Sequence, residues 1–193
     1  MKPKEYIKKF RKFIMESLQG SKLLPSLMMA QALYEAADDR GNAGESIHAK
    51  KYNNDIRILA DKSWKGPKVK LPVRTTTKNN KPARRAWFRI YSSSESSIAD
   101  RIKMLTLKVE AWPTTFWYND TVKQQARVLQ IIEISADPGY GQRMFDIVNR
   151  HKLYLMDRQW WIEKAARLLL SAAMCFILRY LLHNWDSWVP WRN

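Results

Sequence analysis

An apolar stretch near the N-terminus, from Leu23 to Ala36, most constrains how this chain can fold. Pro25 suits the first turn of a helix, and the apolar residues after it lie on most of the helix circumference, which predicts a helix buried on both sides. Glu35 is the one acidic residue in the stretch. Burial at the end of such a helix raises the pKa of a carboxyl group towards the range of a general acid. The stretch alone leaves open a carboxylate that simply faces water.

Composition narrows the range of partners. The chain has 34 Lys and Arg against 18 Asp and Glu, a net charge of +16 in 193 residues. Such a charge favours nucleic acid, anionic lipid or the acidic bacterial cell wall. Nucleic acid is the weakest of the three because the sequence has no recognisable zinc-finger, RNA-recognition or basic-zipper pattern. Cys175 is the single cysteine and the three histidines are scattered, so we expect no intramolecular disulfide, no metal site and no cofactor.

The hydropathy pattern predicts a mainly helical α+β protein. Residues 3–18 have helical spacing of apolar side chains, and helices are also predicted over 94–105, 121–134 and 139–151. Residues 68–91 have two β-prone runs around Asn79 and Asn80, which predicts a β-hairpin.

Three short motifs, in order along the chain, resemble the glucosaminidase family of peptidoglycan hydrolases, the flagellar and autolysin type. Residues 30–35 read AQALYE and resemble the AQA-(I/L)-x-E element of that family, residues 88–91 resemble Phe-Arg-x-Tyr, and residues 136–140 resemble the end of a motif that contains Asp-Pro-x-Tyr. The resemblance covers about residues 3–157. It implies a lysozyme-like fold and cleavage of the β-1,4 bond after N-acetylglucosamine in peptidoglycan, with Glu35 as the catalytic acid.

The resemblance also implies a set of substrate-binding residues, which lie in these motifs and in the segment that follows the acid. These are Gln31, Asn53, Asn54, Phe88, Arg89, Tyr91 and Tyr140. Residues 44–54 resemble the end of the family's loop after the acid, but the loop here is longer and lacks the family's Trp.

Three positions depart from the family pattern. Thr77 stands where many members have a second carboxylate, Ile134 stands where an assisting Tyr is expected, and Arg57 replaces a Gly. Glycoside hydrolysis ordinarily uses a second carboxylate to activate water or to attack the sugar. No acidic residue lies between Asp61 and Glu95.

The longer loop offers substitute bases for the missing carboxylate: Asp38, Asp39 and Glu45. Assistance by the N-acetyl group of the substrate is an alternative that needs no protein base. A further alternative is a catalytically degenerate module that binds glycan or anchors a wall or membrane assembly.

The composition changes after residue 157, which predicts a glucosaminidase-like domain over 1–157, with a β-lobe at about 56–91, and a separate segment over 158–193. Residues 165–182 are almost entirely apolar, and tryptophans flank them within 160–191. Tryptophans at both ends of an apolar helix favour a membrane interface. A narrow polar stripe also runs along the helix, formed by Lys164, Arg167, Ser171, Cys175, Arg179 and His183. The stripe suits an interfacial anchor, a self-associating span that forms homo-oligomers, or a docked helix.

The N-terminus lacks the uninterrupted apolar run of a secretory signal. We therefore expect a membrane-associated protein that acts at the cell wall but stays cytoplasmic until it is released or delivered. A phage or prophage lysis protein would fit this combination.

Overall fold

The computed structural model describes residues 1–73, 85–110, 121–133 and 139–183. It comprises two compact units, Met1–Asp157 and Arg158–Asn193. The described residues form helices α1 Pro3–Ser17, α2 Pro25–Ala36, α3 Ile47–Tyr52, α4 Ser94–Glu110, α5 Val122–Glu133, α6 Tyr140–Arg150 and α7 Tyr154–His183, and strands β1 Lys68–Pro72 and β2 Arg85–Arg89. The predicted fold class, mainly helical with a small hairpin and an apolar C-terminal helix, is confirmed.

Helix α2 lies at the centre of the first unit and packs against α1, α5 and α6. Ten of its twelve residues are buried, as the apolar stretch predicts. Its first turn has no side-chain cap of its own. Instead, Ser26 N donates to Asp157 Oδ1 at 2.8 Å and Leu24 N donates to Gln125 Oε1 at 2.9 Å. Distant side chains therefore satisfy backbone donors that a helix start leaves without intrahelical partners.

Helix α1 is amphipathic, with Tyr6, Phe10 and Ile14 buried and its basic residues outward. The Tyr6 hydroxyl donates to Asp55 Oδ2 at 2.6 Å, which ties α1 to the segment that precedes the hairpin. Buried polar groups of this kind are stable only when they are paired.

Strands β1 and β2 pair antiparallel, with Val69 opposite Phe88. Leu59 forms a further antiparallel bridge with Phe88, so the chain just after residue 58 runs along the hairpin. This confirms the predicted β-hairpin. Several sequence predictions lie outside the described residues: the Asn79–Asn80 turn, Thr77, Ile134, the motif residues 136–138, and Trp185, Trp188 and Trp191.

The described residues of the second unit, 158–183, belong to α7. Large apolar side chains along it are exposed, including Leu169 at 72% and Phe176 at 73%. An 18-residue window of the helix has a mean hydropathy of 1.7, so by length and composition the helix could cross a membrane. Near its start, Lys164 Nζ lies 4.7 Å from the ring centre of Trp160 and 5.1 Å from that of Trp161.

Candidate active site

A cavity of about 420 Å³ opens beside the C-terminal end of α2. It is bounded by α2, the segment 56–61, α4 and the start of α6. Its lining residues are Gln31, Glu35, Ile56, Arg57, Ile58, Leu59, Asp61, Arg101, Met104 and Tyr140. The lining therefore brings two carboxylates, two guanidinium groups, one amide and one tyrosine hydroxyl to a single space.

Glu35 lies in the last turn of α2, and its side chain is 17% exposed. Its Oε2 atom lies 3.6 Å from Nε of Arg57. The acid is therefore largely buried and has a guanidinium group beside it.

Arg57 has a backbone φ of 51°, in the left-handed region that favours glycine. Its Nε donates to the Glu35 carbonyl oxygen at 2.8 Å, and its Nη2 donates to that of Ala37 at 3.2 Å. Carbonyls at the end of a helix lack intrahelical donors and carry partial negative charge. The guanidinium therefore caps α2 and stabilises the helix end that carries Glu35.

A buried chain of hydrogen bonds crosses the floor of the cavity. Gln31 Nε2 donates to the Tyr140 hydroxyl at 2.7 Å, and Arg101 Nε donates to Gln31 Oε1 at 3.2 Å. Burial, reinforced by the charge of Glu35, holds the pKa of Tyr140 well above its usual range. Burial lowers the pKa of Arg101, which is 6% exposed. Tyr140 is therefore protonated, and Glu35 lies close enough to both groups to influence them electrostatically.

Asp61 brings a second carboxylate to the cavity, and its side chain is 55% exposed. Its Oδ1 accepts hydrogen bonds from the backbone N and the hydroxyl of Ser63, and its Oδ2 lies 3.2 Å from Arg89 Nη2. The bonds from Ser63 lower the pKa of Asp61, and the charge of Arg89 adds to this effect. Asp61 is therefore ionised at neutral pH.

Comparison with protein families gives one assignment. Residues 11–153, about three-quarters of the chain, match the model of the glucosaminidase family, described as mannosyl-glycoprotein endo-beta-N-acetylglucosaminidase. The chain belongs to the glucosaminidase family. This confirms the resemblance seen in the short motifs.

Solved structures show the same fold at low sequence identity. The catalytic domain of the autolysin Auto from Listeria monocytogenes has a TM-score of 0.60 and 21% identity, over 80% of this chain and 87% of that one. The glycoside hydrolase domain of FlgJ from Salmonella typhimurium has a TM-score of 0.53 and 23% identity, over 87% and 98%. A peptidoglycan hydrolase from Sphingomonas sp. A1 has a TM-score of 0.55 and 21% identity, over 84% and 95%. Comparison with curated protein sequences gives no match.

The predicted site residues of this glucosaminidase-family chain fall into two groups. Glu35, Gln31 and Tyr140 line the cavity together. The other predicted substrate-binding residues are absent from its lining and make contacts within the β-lobe and its junction with α3 and α4. These are Asn53, Asn54, Phe88, Arg89 and Tyr91.

The contacts of this second group explain their positions. Asn54 Nδ2 donates to the carbonyl oxygens of Ile58 and Arg89 at 3.0 and 2.8 Å, and so joins the segment before β1 to the end of β2. Asn53 ends α3 in a left-handed conformation and donates to the Tyr91 carbonyl oxygen at 3.0 Å. The Tyr91 hydroxyl donates to Asp100 Oδ2.

The three acids of the longer loop line a neighbouring cavity of about 330 Å³. Asp38 accepts hydrogen bonds from Asn42 and from the backbone N of Arg40, and Glu45 pairs with the N-terminal amino group and Lys50. Asp39 is the third acid in this lining. None of the three lines the cavity that contains Glu35.

Three charged residues of the cavity lining have no place in the sequence prediction of the site. In the sequence, Arg57 is noticeable only because it stands where the family pattern has Gly. Asp61 is noticeable only as the last acidic residue before the stretch without acids that ends at Glu95. Arg101 lies one turn from Ile98 and Leu105, both buried on α4, so its helical spacing is the signal that places it on the inward face.

Proposed function

We propose that this protein hydrolyses the glycan strand of peptidoglycan at the β-1,4 bond after N-acetylglucosamine, with Glu35 as the general acid. The observation that carries the proposal is the position of Glu35, 17% exposed at the end of a buried helix and lining the cavity of a glucosaminidase-family chain. Several proteins of similar fold are described as an autolysin or a peptidoglycan hydrolase. The net charge of +16 suits an anionic wall.

In the proposed reaction, Glu35 donates a proton. The protonated carboxyl group gives its proton to the glycosidic oxygen as the bond to the sugar carbon breaks, which typically accelerates such a step about 10²–10⁴-fold. Arg57 fixes the backbone and the carboxylate of Glu35 through its contacts. The hydrogen bonds that join Gln31 to Tyr140 and to Arg101 fix the adjacent cavity floor.

The products released from purified sacculi test the bond specificity. After reduction with borohydride, mass spectrometry distinguishes fragments that end in reduced N-acetylglucosamine from those that end in reduced N-acetylmuramic acid. A muramidase digest of the same sacculi supplies the reference for the second kind. We expect the first kind only, and fragments of the second kind would contradict the proposed bond.

Glycan binding without hydrolysis is the second candidate function, favoured by one observation. Arg57, at a position where the family pattern has Gly, places its Nε 3.6 Å from Oε2 of Glu35, so a bulky cation stands beside the candidate acid. A degenerate module would pellet with sacculi but release nothing from them. Release by the wild-type protein that disappears in Glu35→Gln excludes this candidate.

We also propose that α7 attaches the protein to a membrane through its exposed apolar side chains. Flotation with vesicles that contain anionic lipid tests this, using Leu170→Glu with Ile177→Glu on the apolar side and Ser171→Glu on the polar stripe. A helix that lies in the interface loses binding only with the first pair, since charge is tolerated on its polar face. A spanning helix is weakened by both, because a charge inside the bilayer is costly wherever it points.

We also propose that the protein forms homo-oligomers through α7. The oligomeric state in detergent, measured by sedimentation for the same variants, tests it. A phage or prophage lysis role would fit a hydrolase that reaches the wall only after the membrane is breached.

A further inference from the structure

A glycosidase that works by inversion needs a base to activate water as well as an acid to protonate the leaving oxygen. The residue expected at the family's second carboxylate, Thr77, cannot supply one. Of the described residues that line the Glu35 cavity, two carry a carboxylate, Glu35 and Asp61. Asp61 belongs to the segment that leads from the Leu59 bridge towards β1, and so approaches the cavity from a part of the chain distant in sequence from α2.

We propose that Asp61 is the general base of this enzyme. The inference rests on the proposed hydrolase function and names the second catalytic group that this function requires. It assigns to a single aspartate the role for which the sequence offers Asp38, Asp39 or Glu45.

The support of Asp61 is rigid. Ser63 binds Oδ1 through its backbone N and its hydroxyl, and Arg89 Nη2 lies 3.2 Å from Oδ2. Arg89 is itself fixed, since its side chain is 7% exposed and its Nη1 donates to Asp100 Oδ2 at 2.7 Å. Its guanidinium carbon also lies 4.6 Å from the ring centre of Trp64. A catalytic group must be supported in this way to keep its geometry.

The carboxylate nevertheless has room for water. Its two oxygens have about four acceptor sites. They interact with Ser63, with Arg89 and with the backbone N of Trp64. The side chain is 55% exposed, so a water molecule can reach it. The bonds from Ser63 and the charge of Arg89 lower the pKa of Asp61, which keeps the carboxylate ionised.

The step balances as a single displacement. A water molecule gives one proton to Asp61 while its oxygen bonds to the anomeric carbon, and the bond from that carbon to the glycosidic oxygen breaks. Glu35 gives its proton to the departing oxygen. Asp61 ends protonated and Glu35 ionised, and exchange with solvent restores both. The sugar carbon inverts its configuration.

The loop acids face another space. Asp38, Asp39 and Glu45 line the neighbouring cavity, and Arg57 contributes to the lining of both cavities. Asp61 is therefore the better placed of the four to act together with Glu35.

The test uses the full chain with Asp61→Ala and Asp61→Asn, assayed with and without sodium azide by the release of soluble muropeptides from sacculi, which are quantified and identified by mass spectrometry. The matched control is Asp146→Asn, which removes an exposed acid on α6 whose described hydrogen bond comes from Gln142 on the same helix. We expect Asp61→Ala to lose about 10²–10⁴-fold in rate, and the control to match the wild type. Azide needs no base to remove a proton, so it should restore turnover in Asp61→Ala and give a glycosyl azide of inverted configuration.

Wild-type rates in both Asp61 variants, or loss of activity in Asp38→Asn, Asp39→Asn or Glu45→Gln instead, would overturn the inference while the hydrolase function stands. A folded, sacculus-binding Asp61→Ala that azide does not restore also overturns it, because Asp61 would then act only through its contacts. Asp61→Asn retains a side-chain oxygen that can accept the hydrogen bonds from Ser63. It is therefore the variant to assay if Asp61→Ala does not fold. If the wild-type protein releases nothing from sacculi, the proposed function and the inference are both wrong.

Discussion

Arg57 Nε lies 2.8 Å from the carbonyl oxygen of Glu35 and 3.6 Å from Oε2 of the same residue. One guanidinium thus binds both the backbone and the carboxylate of the candidate acid. Arg57 does so from a left-handed backbone conformation that costs a non-glycine residue roughly 1–2 kcal/mol. Such strain persists only where surrounding contacts compensate for it, and here those contacts converge on the end of α2.

Replacing Arg57 separates the strain from the contacts. Arg57→Gly relieves the backbone but loses the bonds to Glu35 and Ala37, so we expect it to lower the free energy of unfolding by about 1–3 kcal/mol. Arg57→Ala loses the same bonds and keeps the strain, so it should be less stable than Arg57→Gly by about 1 kcal/mol. Urea denaturation of the three proteins measures both differences. An alanine variant as stable as the glycine variant would show that the backbone there is not strained.

Tyr140→Phe removes the acceptor for Gln31 Nε2 and leaves a buried amide with one hydrogen bond fewer. We expect a loss of about 1–3 kcal/mol in the free energy of unfolding, together with reduced turnover, because Gln31 and Arg101 then no longer have a fixed neighbour on the cavity floor. The measurements are denaturation and sugar release from sacculi. Tyr154→Phe, which removes the hydroxyl of an exposed tyrosine at the start of α7, is the matched control. Unchanged stability and unchanged turnover in Tyr140→Phe would contradict the role given to this hydrogen bond.

Because of His48, we expect the free energy of unfolding to decrease in acid. Burial, and to a smaller extent the charge of Arg57, lowers the pKa of His48 from 6.5 to about 4 in the folded protein. Between these values the unfolded chain binds a proton that the folded chain does not, so stability present above pH 6.5 is lost as the pH falls towards 4. We expect His48 to contribute about 1–3 kcal/mol to this loss.

The comparison of His48→Gln with the wild type between pH 7 and pH 4.5 measures that contribution. The variant should lose less stability over this interval than the wild type does. His183→Gln, which removes an exposed histidine on α7, should follow the wild-type curve. Parallel curves for His48→Gln and the wild type would show that His48 titrates normally in the folded protein.

The central helix and the acid on it could be predicted from the sequence. The run of apolar residues after Pro25 predicts a buried helix, and the family resemblance of the motif at its end identifies Glu35 as the candidate acid. The β-hairpin was also predictable, because strand propensity and turn residues are local properties. Both predictions depend on residues that are neighbours in sequence.

The partners within the site could not be predicted in the same way. The contacts of Glu35 with Arg57, and of Gln31 with Tyr140, join residues 22 and 109 positions apart, and local patterns carry no information about such distances. The motif at 88–91 shows the reverse effect. It marks the fold correctly, but Phe88, Arg89 and Tyr91 contact the β-lobe and α4 instead of lining the cavity. A motif thus identifies a family more reliably than it identifies which residues meet the substrate.

The most direct test of this account is release of muropeptides from purified sacculi by the wild-type protein and by Glu35→Gln, assayed side by side with the α7 helix kept in detergent. Glu35→Gln preserves the size of the side chain and removes its ability to carry a proton. We predict release by the wild type and a loss of about 10²–10⁴-fold in the variant, while both proteins pellet with sacculi equally. Equal release by both proteins would contradict the assignment of Glu35 as the general acid, and release by neither would contradict hydrolysis itself.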